Sequence, residues 1–465
     1  MKRLALLAAI VASLAFASPA FAARIVVDDD FADCPNADTN SIQTGVELAN
    51  PGDTVFVCRG LYAETVTMEA DDSDIRVSGQ DVSEVVLDGQ NALAAGFRLT
   101  GVTGVVIERF TVRRYHDDIV LDGADNNTIR ANVTTLAFGH DGITLANSDG
   151  NRIEHNVSFL NQNSIACGIS VGAGSMNNLV SHNLTFNNSN VGILIGFPPA
   201  LGGPAGPGNV VVHNVSRDNG KPVPAASGGT GILNNASPGT VIAHNDVRDN
   251  NASGIVLAGA ASTNVLVDHN EVVHNGSNPA LHDGIHLNGA GGNVVTHNDS
   301  RLNIHNGIHL LNSSNNVVEH NRLVQNGTPG VANGCGIDIT GATSTGNVVR
   351  YNDSSLHSQA GYRIRGGANG NTLSRNHARN NPGHGMRLLD GDDNTLERNQ
   401  SNDNGIDGIR SDAASTGNTF VGNHMQRNAE HDAHDDSVGA GTGGTANFWI
   451  DNHCKTENRP GLCNG

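Results

Sequence analysis

Aromatic residues make up only 4% of the 465 residues, with a single Trp and 4 Tyr. That is too few for a sugar-binding surface built from broad stacking platforms. Cations are scarce as well. Lys and Arg number 27 against 46 Asp and Glu; without Lys2 and Arg3, which fall in the leader described below, 25 against 46 leaves −21. Such a chain repels polyanions at long range, so nucleic acid is not an expected partner. An anionic polysaccharide would need a local basic patch or bridging cations. Beyond the first residues no apolar run is long enough to span a membrane. The six cysteines suit an oxidising compartment. Cys34 and Cys58 flank a short helical stretch, and Cys454 and Cys463 close a C-terminal loop after Phe448-Trp449-Ile450. These two pairs are the expected disulfides.

What is present begins with a leader. Residues 1–22 carry Lys2 and Arg3, an apolar run from Leu4 to Ala17, and Ala20-Phe21-Ala22. This is the pattern of a secretory signal cleaved before Ala23, so the protein is expected to be exported. No Cys follows closely enough for a lipid anchor. Gln43 to Ala49 then has helical spacing and stops at Asn50-Pro51-Gly52-Asp53, and Thr54–Val57 and Gly60–Tyr62 read as strands.

The rest of the chain is organised around one repeat. Gly284-Ile285-His286-Leu287 leads to Asn293-Val294-Val295-Thr296-His297-Asn298 and Asp299-Ser300-Arg301-Leu302-Asn303. The next copy begins at Gly307-Ile308-His309-Leu310. Apolar alternation at period two, in short runs punctuated by Gly and Asn, predicts strands and turns. A unit this short cannot bury its own face and must stack on its neighbours. The closing Asn recurs at Asn132, Asn156, Asn183, Asn214, Asn245, Asn270, Asn298, Asn321, Asn352, Asn376, Asn399 and Asn423. With this repeat the chain resembles the right-handed parallel β-helix proteins of the pectate-lyase-like superfamily. That superfamily includes lyases, hydrolases, epimerases, adhesins and a nitrous-oxide-reductase maturation protein, so the resemblance implies a fold more than an activity.

The expected architecture is all-β: a single right-handed parallel β-helix with an N-terminal helix cap and a C-terminal cap. Residues 1–22 form the signal, 23–62 the N-terminal cap and first strand, 63–428 the helical repeats and 429–465 the C-terminal cap. Roughly fifteen coils at ~4.8 Å each make a rod on the order of 70 Å, expected as a monomer. Cys167 and Cys335, each just before a Gly-Ile marker, then lie about 29 Å apart, beyond disulfide reach, and are read as free wall residues.

Stacking turns sequence registers into columns. His155, His182, His213, His244, His269, His297 and His320 precede the closing Asn. They are read as filling a turn slot and bonding to backbone, with metal binding as the alternative. The residue between Ile and Leu of the marker reads Val120, Thr144, Ser170, Leu194, Leu233, Val256, His286, His309, Asp338, Arg363, Arg387, Arg410. Its first half is apolar or small and its second half is ionisable, with Arg365 two residues beyond Arg363. A solvated, ion-paired face explains this column, and so does a site. Insertions at Lys221–Thr230, Gly276–His282 and Gly327–Gly334 enter before the marker strand, and Phe197–Gly208 enters after it. Loops on both borders of one face favour a groove.

The leading reading is therefore a protein that binds or modifies an acidic, uronic-acid polysaccharide by proton abstraction, in the manner of a lyase or epimerase. His286 or His309 is the candidate base and Asp338 its orienting group or a partner of Arg363. Arg363 and Arg387, with Arg365 and Arg410, would hold developing charge and substrate. His282-Asp283 lies beside them and is assigned to substrate binding. It repeats His116-Asp117 and His140-Asp141. His140-Asp141 is similar to the end of the Asp-Pro-His-Asp motif of mannuronan epimerases, but Phe138-Gly139 stands in place of Asp-Pro, and no role is carried across. The alternatives are a non-catalytic envelope or secreted binding protein and, third, a periplasmic metal-handling protein. Four scattered Met residues (Met68, Met176, Met386, Met425) lend the third little support. Calcium is the candidate ion, at Asp28-Asp29-Asp30, Asp71-Asp72-Ser73-Asp74 and His431 to Asp436, although none of these has EF-hand spacing.

Overall fold

Alternating Ile, Val and Leu, cut every few residues by Gly or Asn, produce strands of three to six residues that stack in register. The computed structural model describes residues 22–198, 201–221, 228–277, 283–330 and 333–464; the leader and His282 lie outside these. Three parallel sheets, two of 15 strands and one of 17, run the length of the stack. One coil contributes Ile285–Asn288 to the first sheet, Val294–Thr296 to the second and Asp299–Arg301 to the third. Inward residues form columns of like side chains, such as Ile255, Ile285, Ile308 and Ile337, all at most 1% exposed. Each fits the hollow left by its equivalent one coil away, so the core is a continuous column of aliphatic contacts.

The corners carry the amides. Asn270 Oδ1 accepts from the backbone N and Nδ2 of Asn245, and Asn270 donates from Nδ2 to the carbonyl of Ile242. The same three bonds recur from Asn132 to Asn423, and Asn452 accepts from Asn423 as a further rung. Sequence reading identified this ladder; the structure adds others. One runs Asn161, Asn188, Asn219, Asn250, Asn275, Asn303, Asn326. It passes through His357, whose Nδ1 accepts from Asn326 N, and resumes at Asn381. Burial pushes the His357 pKa down to about 3, so the imidazole is neutral and serves as an acceptor as an amide would. A third runs from Asn293 through Asn316, Asn347, Asn371, Asn394 and Asn418 to Asn447.

The histidine column differs from expectation. Its rings do fill a turn slot, with φ between 51 and 57°, a left-handed conformation in which His is enriched. They do not turn back to the backbone. The rings are exposed and stack on one another at 4.7 to 5.2 Å, ending on Tyr351. Their hydrogen bonds go to side chains, His269 to Asp268 and His297 to Thr296.

At the N-terminal end, helix Ile42–Leu48 packs Ile42 and Val46 over the first strands. A Cβ at Gly45 would come within 2.7 Å of Val27, so only Gly permits this approach. Ser41 caps the helix, and the Glu64 carboxylate accepts from the free N–H groups of Ile42 and Gln43. At the other end Trp449 stacks on Phe420 at 4.0 Å. The disulfides are Cys34–Cys58 and Cys454–Cys463, while Cys167 and Cys335 are buried and free.

Two outcomes follow for stability. Replacing Asn270 with Leu strips Asn245 of its acceptor and Ile242 of its donor, which should destabilise by about 1–3 kcal/mol in denaturant unfolding. Glu108 ties three coils together through Arg76 and Arg130. Burial acts to raise its pKa, but Arg76, Ser78 and Arg130 prevail and lower it from 4.5 to about 2. A depressed carboxylate stabilises above its unfolded pKa, and that contribution is lost as pH falls from 4.5 towards 2. Glu108→Gln should therefore lower Tm at pH 7 and much less at pH 2.

Candidate active site

The marker strands place one residue per coil along the outside of the first sheet. Pairing puts Val256, His286, His309, Asp338, Arg363, Arg387 and Arg410 in one register, which continues to His434. These side chains leave the aliphatic core, but four of them are covered. His286 is 4% exposed, His309 9%, Asp338 0% and Arg363 6%. Covering atoms come from the corner before the strand, a register that sequence reading assigned no shared role.

Asp283 occupies that corner. Its Oδ2 accepts from Nδ1 of His286 at 2.7 Å and from Nδ1 of His309 at 3.0 Å. Its Oδ1 accepts from the backbone N and side-chain Nδ2 of Asn306. Asn306 is fixed in turn by the N–H of Cys335, which donates to Asn306 Oδ1 at 3.0 Å. One carboxylate thus orients two imidazoles set edge to face at 4.8 Å. With both Nδ1 atoms committed, Nε2 of each ring is the free basic position, and neither makes a hydrogen bond. Burial works to raise the pKa of Asp283, but His309 and His286 hold it well below the usual carboxylate range. Burial likewise works to lower that of His309, and Asp283 outweighs it and raises the value above 6.5.

Beyond the imidazoles lies an ionic knot. Asp338 takes both Nε and Nη2 of Arg363, at 3.0 and 2.8 Å, and Nε and Nη2 of Arg365, at 3.2 and 2.9 Å. Asn333, from the Gly327–Gly334 insertion, accepts from both arginines, and Gln359 accepts from Arg363. Asp338 therefore pairs with arginine and stands 3.9 Å from His309 Nε2. Arg363 is an interior strut, whereas the Arg365 side chain is 28% exposed. Arg387 and Arg410 share a different carboxylate, Asp412, at 2.6 Å each. A cavity of about 360 Å³ brings Arg363, Gln359, His384 and Arg387 to one wall.

The apolar half of the column frames a second cavity of about 300 Å³, lined by Val120, Leu194, Phe197, His140 and Asp141 among others. Burial raises the Asp141 pKa to about 6, with Ser170 donating to the carboxylate. Asp117 engages Nδ1 of His116 at 2.8 Å. The acidic runs put forward for calcium are drawn on by the protein's own donors. Asp28, Asp29 and Asp30 accept from the N–H groups of Cys34, Leu61 and Ala32, and Asp72 from that of Glu69. Asp432 accepts from Lys455 N, and Asp435 accepts from Trp449 Nε1.

Residues 204–323 and 283–454 match the family model described as the right-handed β-helix region. Residues 73–199 match that of NosD, described as a periplasmic copper-binding protein. No curated protein matches the chain in sequence. Among solved structures, the catalytic domain of a GH87 α-1,3-glucanase in complex with tetrasaccharides is similar with a TM-score of 0.51 at 11% identity, over 82% of this chain and 66% of that one. The periplasmic alginate epimerase AlgG gives 0.43 at 12% identity, over 85% and 77%. The Dettilon tailspike protein gives 0.43 at 19%, over 80% and 60%. At these identities the likeness concerns the fold. With its three parallel sheets, its stacked corner amides and a family match over most of its C-terminal half, the chain belongs to the right-handed β-helix family.

Proposed function

We propose that this protein is an exported, carbohydrate-active β-helix that binds a uronate-containing polysaccharide along the first sheet. There it abstracts the proton beside the sugar carboxylate, as a lyase or epimerase does. The observation that carries the reading is the pair of imidazoles oriented by Asp283. Each is anchored through Nδ1 and keeps a buried Nε2 that makes no hydrogen bond, that of His309 standing 3.9 Å from Asp338. Proton abstraction needs such a basic nitrogen. His309 Nε2 receives the proton, and Asp283 stabilises the imidazolium that results. Arg365 and Arg387, with side chains 28% and 32% exposed, meet the substrate carboxylate and the charge that develops on it. Arg363 holds Asp338 in place and shares with Arg365 the compensation of this fully buried carboxylate. The glucanase domain of similar fold is likewise carbohydrate-active. A signal-like leader and two disulfides support export.

Incubation with a panel of polyuronates, with and without calcium, tests this through ultraviolet absorbance of unsaturated uronate and through product epimer ratios. His309→Ala should lower turnover by roughly 10²–10⁴-fold, Arg365→Ala and Arg387→Ala should weaken both KM and kcat, and His213→Ala in the exposed column should change nothing. Because the base must be neutral and the His309 pKa is raised above 6.5, activity should climb with pH through a value above 6.5. Polyuronate binding without any product would make this a binding protein. Failure of every polyuronate to bind would remove the acidic-glycan reading.

A further inference from the structure

A second histidine–carboxylate cluster lies further along the same sheet, and its geometry differs from that of Asp283. Asp407 is fully buried, in the corner before Gly408. Around its carboxylate stand Nδ1 of His384 at 3.3 Å, Nδ1 of His434 at 3.3 Å and Nδ1 of His431 at 3.4 Å. Other imidazole–carboxylate pairs are either closer, at 2.7 Å for His286 and His274 and 2.8 Å for His116 and His269, or wider, at 3.6 Å for His297 with Asp268 and 3.8 Å for His140 with Asp117. In the Asp407 cluster three imidazoles stand at one intermediate spacing from one carboxylate. Two ligand atoms each ~2.0 Å from one ion at a tetrahedral angle are separated by roughly 3.3 Å.

We propose that Asp407, His431 and His434 form a binding site for a divalent transition-metal ion of the zinc and cobalt class. One donor atom of each lies within 4.8 Å of the other two. Nδ1 of His431 is buried without an aligned hydrogen bond. An unpaired nitrogen facing a buried carboxylate is unusual in a hydrogen-bonded core. His434 is prepared from behind. Its Nε2 meets Asp436 Oδ1 at 3.0 Å and its Nδ1 meets Asp407 Oδ1 at 3.3 Å; with the proton on Nε2, Nδ1 is the lone-pair atom facing Asp407. A carboxylate on the far nitrogen is the usual orienting partner of a metal-bound imidazole. Asp436 is fixed by Arg410 Nη2 at 2.7 Å, and Arg410 also reaches Asp412 at 2.6 Å and Asp407 at 3.5 Å, so its charge is shared among three carboxylates. Two imidazoles and one carboxylate suit zinc or cobalt better than calcium, which prefers oxygen throughout. Three protein donors leave a fourth coordination position for another ligand. His384 stands on the other side of Asp407 and positions its carboxylate. The site shares no residue with the Asp283 pair and does not depend on the reading given to it.

Cobalt(II) titration of the untagged, chelator-treated exported chain tests the proposal. One equivalent should bind with visible d–d bands of low-coordinate cobalt and be displaced by zinc. His431→Ala and His434→Ala should each abolish those bands, and Asp436→Asn should weaken affinity by roughly 10–100-fold. His140→Ala, beside Asp117, and His269→Ala, beside Asp268, should leave them intact. Absence of stoichiometric cobalt binding by the parent chain, or unchanged bands in His431→Ala, would overturn the proposal. Should His434→Ala fail to fold, the partly exposed His431 and the outer Asp436 still decide it.

Discussion

Everything in this molecule depends on the corner amide. A parallel coil must turn three times, and each turn leaves backbone N–H and C=O groups that no sheet can pair. Asn resolves this because it carries both a donor and an acceptor on a short, rigid side chain. Its Oδ1 serves the coil on one side while its Nδ2 serves a carbonyl there and the next amide on the other. Such bonds are worth little singly and much when repeated in a dry interior, where each polarises its neighbours. With the corners fixed, coil spacing is fixed, and the marker strands present one side chain each at regular intervals.

That regularity explains what was legible from the residues alone. The column from Val120 to Arg410 follows from period-two alternation, and so does the ladder from Asn132 to Asn423. Burial of His286, His309 and Asp338 was not legible, because the covering atoms belong to other coils. Asn333 and Gln359 meet Arg363 from positions some 30 and 4 residues away, a relation that no local pattern announces. A further signal was present in the letters. The slot before the marker Gly reads Asp283, Asn306, Cys335, Ala360, His384, Asp407 in successive coils, and four of these hold the groups that orient or complete the ionisable column. The pairing of Asp338 with Arg363 was among the readings of the column, and the structure adds Arg365 to it and sets Asp412 against Arg387 and Arg410.

Charge is thus handled locally along the ionisable half of the sheet. Asp283 and Asp338 take their partners from their own and adjoining coils, so fixed dipoles and ions are assembled before any ligand arrives. The apolar half, with Val120, Leu194 and Phe197, offers instead a mostly uncharged surface, bordered by Arg98 one coil before Val120. One face of one rod therefore carries two chemically distinct stretches, and a polymer lying along it meets them in sequence.

The ladders also mean that nothing inside the stack says where it should stop. Any coil closed by the same amides fits above any other, so a whole coil can be gained or lost without a new kind of bond being invented. The same indifference applies at the two ends, where an uncovered last coil would accept a neighbouring molecule as readily as its own chain. Helix Ile42–Leu48 at one end, and Trp449 with the Cys454–Cys463 loop at the other, are what separate a rod of defined length from a growing fibre.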